Sequence, residues 1–262
     1  MENRRLSLLY NLQTLYNSSD LDSIEFQLSR YLIDNYLSID KLNIFDVAEE
    51  NNVSRASVRR YCQKLGYENF KELKKHFNEF DEGLRVYEKF YSRDSFINSL
   101  KVQIFEMFNE LEERLSNKEL SQIVQSLWQA DEVIIIASST IANSVRFFQQ
   151  TMALLGKRVL IVVDEVEFNS MKHLLSERSL ILFFSVSGVL AKVMKEVIFD
   201  SAINTYLFTN SRSPLFNQYY NKVYHLTSMD NKNPSEIIYY TYGISFVLDS
   251  ILNEYSQLKR GK

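Results

Sequence analysis

Apolar residues recur at helical spacing through the first third of the chain. Leu6, Leu9, Leu12, Leu15 and Tyr16 predict an amphipathic helix over residues 4–17, and Ile24, Leu28, Tyr31 and Leu32 a second over 22–37. Ser38–Asn43 is a polar break. Asn43 can cap a helix beginning at Ile44, and Asp46 in its first turn suits the positive end of the helix dipole. Val47 points to a core, Ala48 is small where a second helix would cross, and Asn52 tolerates the positive φ of a tight turn. Ser54 is an N-cap and Gly66 a stop. Between them Val58, Tyr61, Cys62 and Leu65 fall at i, i+3, i+4, i+7 and face inward. Ala56, Arg59, Arg60 and Gln63 face the other way. Two short helices around a tight turn predict a helix-turn-helix, whose second helix would enter a DNA major groove with its N-terminal residues near base edges. Phe70, Leu73 and Phe77 continue a bracing helix, so residues 1–77 form an all-α domain.

Residues 78–110 are expected to be linker helices. They mix charge with Leu84, Tyr87 and Phe90, and then Asp94 or Ser95 opens a helix carrying Phe96, Leu100, Ile104, Met107, Phe108 and Leu111. Ser116-Asn117-Lys118-Glu119 is a capping box that starts a helix with Leu120, Ile123, Val124 and Leu127. At Asp131 the pattern changes. Val133–Ala137, Val159–Val163, Leu180–Phe184, Thr205–Phe208 and Val223–Leu226 are short apolar runs of buried-strand type. Helical stretches separate them, including one over 189–199, and a long final helix carries Ile237, Ile238, Tyr242, Phe246 and Leu252. Strands alternating with helices predict a parallel sheet flanked by helices. Residues 111–262 are therefore an α/β domain.

Composition narrows this picture. Gly and Pro are scarce, 6 and 2 in 262 residues, so a low-complexity chain is excluded. The net charge of −3 is not that of a uniformly basic coat protein. Charge is local instead. From Ser54 to Lys75, Arg55, Arg59, Arg60, Lys64, Lys71, Lys74 and Lys75 stand against Glu68 and Glu72 alone. A solvated face can look like this, but the basic run coincides with the reading helix, where it would meet phosphate. Cys62 is the one cysteine and lies on the apolar stripe, which points to a packing role and a reducing cytoplasm. No secretory leader or apolar membrane span is evident, so a cytoplasmic location is expected.

Three strands end in hydroxyl-rich loops: Ser138-Ser139-Thr140, Ser185-Val186-Ser187-Gly188 and Thr209-Asn210-Ser211. Ligands of parallel sheets bind outside the carboxyl ends of the strands. Helix starts there offer free N–H groups and a positive dipole end to an anion. Ser187-Gly188, heading the helix 189–199, suits this best, although Ser and Gly are also common in ordinary strand-to-helix turns. Catalysis has less support. His76, His173 and His225 lie in different elements, and there is no Cys/His metal set, nucleophile elbow or dyad. No metal or cofactor is implied.

The two halves together resemble the RpiR family of bacterial regulators, which join a helix-turn-helix domain to a sugar isomerase (SIS) domain. The run Val53-Ser54-Arg55-Ala56-Ser57-Val58-Arg59-Arg60-Tyr61-Cys62-Gln63-Lys64-Leu65-Gly66-Tyr67-Glu68-Asn69-Phe70 is similar to that family's reading-helix signature. The resemblance implies that Ser54, Arg55, Ser57, Arg59 and Arg60 meet DNA, and the basic run adds Lys64. Ser185-Val186-Ser187-Gly188 is similar to the family's Ser-x-Ser-Gly phosphate loop, and Thr209–Leu215 to its Thr-x-x-x-Ser-Pro-Leu segment. A phosphosugar effector is thereby implied, bound through Ser185, Ser187 and Gly188, with the SIS half joining a homodimer or tetramer; Ser138 and Ser139 are the candidates to compensate in the first loop, which departs from the family pattern. Two departures stand out. Ala137-Ser138-Ser139-Thr140-Ile141 replaces the family's Gly-x-Gly-x-Ser, and Val189-Leu190 replaces an acidic residue and Thr. Two hydroxyl donors thus become aliphatic, and a loss of that size weakens phosphate binding by about 10². Two alternatives follow. One is a regulator whose SIS half only dimerises. The other is a sugar-phosphate isomerase, for which Glu236 would be the base.

Overall fold

The computed structural model describes residues 8–77, 90–92, 95–163, 165–199, 203–229 and 236–261. The chain folds as two compact units, Met1–Arg93 and Asp94–Lys262.

The first unit is helical: Leu8–Ser18, Ile24–Asp34, Ile44–Glu50, Arg55–Lys64 and Phe70–Phe77. Residues 4–7 of the expected first helix lie outside the described residues. A 3-10 turn, Tyr36–Lys41, occupies most of the expected polar break, because Tyr36 and Ile39 point into the core one 3-10 turn apart. The caps act as their residue types dictate. Asn43 Oδ1 accepts from the amides of Phe45 (2.8 Å) and Asp46 (3.0 Å), and Ser54 Oγ from that of Ser57 (3.1 Å). Asn52 (φ 51°) and Gly66 (φ 88°) take the left-handed conformation that ends each helix. At both ends two amides turn back. Val53 bonds Ala48 O and Asn52 bonds Glu49 O, while Tyr67 bonds Cys62 O and Gly66 bonds Gln63 O, all at 2.9–3.0 Å. The unit closes on one core containing Leu12, Leu28, Leu32, Ile39, Val47, Val58, Cys62, Tyr67 and Leu73.

The second unit begins with Phe96–Arg114. Its Met107 and Leu111 are buried, and the Phe108 ring meets that of Phe246 at 4.9 Å. This helix packs within the second compact unit, Asp94–Lys262; residues 78–89 lie outside the described residues. Ile97, Val102 and Phe105 leave an exposed apolar side on this helix. The capping box forms as expected, with Ser116 and Glu119 bonding each other's backbone amides at the start of Asn117–Gln129.

Five strands follow: β1 Val133–Ala137, β2 Leu160–Val162, β3 Leu180–Phe184, β4 Asn204–Thr209 and β5 Lys222–His225. All neighbours are parallel, in the order β2-β1-β3-β4-β5. One face packs Ile134, Ile136, Ile181, Phe183 and Leu207 against Leu190, Ala191 and Met194 of the helix Val189–Phe199. The other face carries a ladder of registered rings, Phe184 on Phe208 (4.6 Å) and Phe208 on Tyr224 (5.0 Å). Burial on both faces explains why the strands read as continuous apolar runs. The last helical segment is not one regular helix. It runs Glu236–Ile238, then a π turn at Tyr239–Gly243, then Ile244–Arg260. Strand order reverses direction between β1 and β3, so the crevice outside their carboxyl ends is the natural ligand position of this sheet.

Candidate DNA-reading face and effector site

On the helix Arg55–Lys64, Val58, Tyr61 and Cys62 are 0–2% exposed, whereas Arg55, Ala56, Arg59, Arg60 and Gln63 lie at the surface. Tyr61 Oη bonds Ser29 Oγ at 2.7 Å inside the core, which ties the reading helix to Ile24–Asp34. Burial pushes the Cys62 thiol up to about 12, so it is a packing group and not a thiolate.

The six residues assigned to DNA divide into two sets. Arg55, Arg59 and Arg60 present exposed guanidinium groups. Arg55 lies 4.7 Å over the ring of Phe45, itself exposed on the preceding helix. That contact holds the guanidinium in place without neutralising it. Arg60 Nη2 donates to Ser57 Oγ at 3.2 Å. Ser54, Ser57 and Lys64 are engaged within the domain. Ser54 caps the helix and bonds Ser57 Oγ at 2.9 Å, and Ser57 is buried. The Lys64 ammonium bonds the Glu25 carboxylate, and that bond holds Glu25 below the usual carboxylate range. Phe45 is the residue that spacing alone does not reveal. An aromatic at the second position of the first helix looks like core, and only its exposure shows otherwise.

The expected effector residues gather at the ends of β1 and β3. Ser138 follows β1, and its Oγ is buried without a hydrogen-bond partner. Ser139 opens the 3-10 turn Ser139–Ile141; its side chain lies outside the described part of the structure. Ser185 is buried, and its Oγ accepts from the Ala191 amide at 3.2 Å, so it caps the helix from beneath. Ser187 is partly exposed at the mouth of the loop. Gly188 takes φ +78°, and a Cβ there would lie 2.6 Å from Ser211 Cβ. Glycine is therefore required twice, by backbone conformation and by the next loop. The Asn210 amide bonds Val186 O at 2.8 Å, locking the β4 loop to the β3 loop. Both polar atoms of the buried Asn210 side chain lack a partner. Buried polar atoms are normally satisfied, and Ser138 and Asn210 both lie at this end of the sheet. Ile141 and Leu190, which replace hydroxyl donors, are 1% and 3% exposed and belong to the core.

Tyr240 is the site residue that sequence reasoning missed. It sits in the π turn, and its hydroxyl reaches Ser187 Oγ at 3.1 Å and accepts from the Ser187 amide at 3.3 Å. No spacing rule links positions 53 residues apart. Glu236, one element earlier, has its carboxyl raised by desolvation. Among the described residues no group of three His, Cys, Asp or Glu side chains could hold a metal ion, and no helix is long and apolar enough to cross a membrane.

Residues 8–81 match the family model described as a helix-turn-helix domain of the rpiR family. The HTH-type transcriptional regulator GlvR of Bacillus subtilis (strain 168) is 24% identical over 183 residues, which are 68% of this chain and 67% of GlvR. Among solved structures, the Vibrio vulnificus NanR protein, complexed with ManNAc-6P, is similar at 16% identity. That match covers 95% of this chain and 91% of NanR with a TM-score of 0.49. The sugar isomerase domain of an RpiR transcription factor from Sphaerobacter thermophilus is similar at 15% identity, over 61% of this chain and 98% of that domain, with a TM-score of 0.42.

Proposed function

We propose that this chain, a transcriptional regulator with an rpiR-family helix-turn-helix domain, grips duplex DNA through Arg55, Arg59 and Arg60 and answers to a phosphosugar at the β1 and β3 loops. One observation carries the DNA reading: three exposed guanidinium groups lie opposite the buried face of the second helix. Guanidinium groups bond phosphate and guanine edges, and their count sets the salt dependence of binding. The Ser54–Ser57 pair and Lys64 support that face from within. A dimer or tetramer presents two such helices to a two-fold related operator in the cytoplasm.

The effector site is supported by the Ser187-Gly188 helix start and by the unpartnered atoms of Ser138 and Asn210 beside it. A ligand regulates only if it binds the DNA-competent and incompetent arrangements unequally. A second reading is favoured by Ile141 and Leu190. Where donors would hold phosphate, the chain has core residues, so the α/β unit would serve only to assemble the regulator. Thermal-shift screening against phosphosugars separates the two. Stabilisation of the wild type that is lost in Ser187→Ala supports the effector reading. No stabilisation by any phosphosugar supports the assembly reading.

A further inference from the structure

Several of the amide donors that a helix start offers to an anion are already taken here. At the head of Val189–Phe199 the Gly188 amide bonds Ser185 O at 2.9 Å, the Val189 amide reaches Ser187 Oγ at 3.4 Å, and the Ala191 amide bonds Ser185 Oγ at 3.2 Å. The outermost amide, that of Ser187, points to Tyr240 Oη at 3.3 Å, and the same hydroxyl lies 3.1 Å from Ser187 Oγ. Ser187 is partly exposed at the mouth of the loop, so the phenol stands where a phosphoryl oxygen would approach.

We propose that Tyr240 is a displaceable plug of the effector site, and that it sets the class of ligand admitted. The inference rests on the phosphosugar reading above and deepens it. A neutral phenol makes ordinary hydrogen bonds, whereas a phosphoryl oxygen makes charge-assisted bonds about twice as strong. A dianionic phosphoryl group therefore expels Tyr240, and a neutral sugar does not. The position of the plug also gives its removal a consequence. Tyr240 belongs to the π turn Tyr239–Gly243, a geometry that concentrates at functional sites. The neighbouring Tyr239 hydroxyl donates to the Glu110 carboxylate, and a Cβ on Gly243 would meet Met107 Sδ at 3.0 Å. Glu110 and Met107 lie one turn apart on Phe96–Arg114, the first long helix after the helix-turn-helix unit in the chain. Expelling Tyr240 disturbs the same turn that holds this helix.

The test uses the full chain and inorganic phosphate as the probe, by calorimetric titration. Tyr240→Phe keeps the ring and removes the hydroxyl, so phosphate should bind about two- to tenfold more tightly than to the wild type. Adding Ser187→Ala to that variant should reverse the gain. Binding to Tyr240→Phe that equals or falls below wild type overturns the plug and leaves the phosphosugar reading intact. Binding to neither protein overturns both. A second measurement needs no variant. Saturating phosphate should speed hydrogen exchange at the amides of 239–243 in the wild type, and slower exchange there would show Tyr240 to be a ligand contact and not a plug.

Discussion

Ser29 Oγ and Tyr61 Oη bond each other at 2.7 Å in the core of the first unit, and this bond seats the reading helix. Tyr61→Phe leaves the Ser29 hydroxyl buried without that partner. The expected cost is about 1–3 kcal/mol of stability. Thermal or urea unfolding of the full chain should show an earlier helical-unit transition, while DNA affinity well below that transition stays close to wild type.

Gly188 is expected to tolerate no side chain. Alanine there must hold φ +78° and place a Cβ 2.6 Å from Ser211 Cβ. Strain and overlap together should cost about 2–4 kcal/mol. Ser211→Gly in the same chain should recover part of the loss, because it relieves the overlap but not the φ. Chemical denaturation of the wild type and these two variants checks this order.

Burial, with the cations Arg212 and Arg114 beside it, lowers His225 to about 4. The imidazole is therefore neutral in the fold, while the unfolded chain takes up a proton near 6.5. Stability of the α/β unit should be level above pH 6.5 and fall as pH drops toward 4. Unfolding midpoints measured between pH 6.5 and 5, compared with those of a chain lacking the imidazole, read this effect. His225→Leu should flatten the slope in that window.

Tyr239→Phe removes the donor to Glu110 without touching Ser187. Phosphate binding should persist, and the change in DNA affinity on adding phosphate, at ionic strength matched with chloride, should shrink. Paired titrations with phosphate and with DNA read the two effects separately.

Much of the fold was legible because local rules and tertiary packing agree. Asn43, Asn52, Ser54 and Gly66 punctuate the helix-turn-helix by backbone chemistry that acts within a few residues, and the five apolar runs became the five strands. Other features depend on contacts between distant residues and leave no periodic trace. The helix Phe96–Arg114 joins the α/β unit through Glu110, Met107 and Phe108, which meet residues more than a hundred positions away. The π turn interrupts a stretch whose apolar spacing reads as continuous helix. In the sites, the basic run pointed alike to Arg55, Arg59, Arg60 and Lys64. Burial of Ser57, the pairing of Lys64 with Glu25 and the reach of Tyr240 to Ser187 emerge only in three dimensions.

The most direct test of the account is the salt dependence of binding to a duplex selected on the wild-type protein, compared with Arg59→Ala/Arg60→Ala. Wild-type affinity should fall steeply as salt rises. The double variant should lose at least about tenfold in affinity, and its log–log slope should be shallower by about 1–2. Equal affinity and equal slope for the two proteins would contradict the assigned reading face.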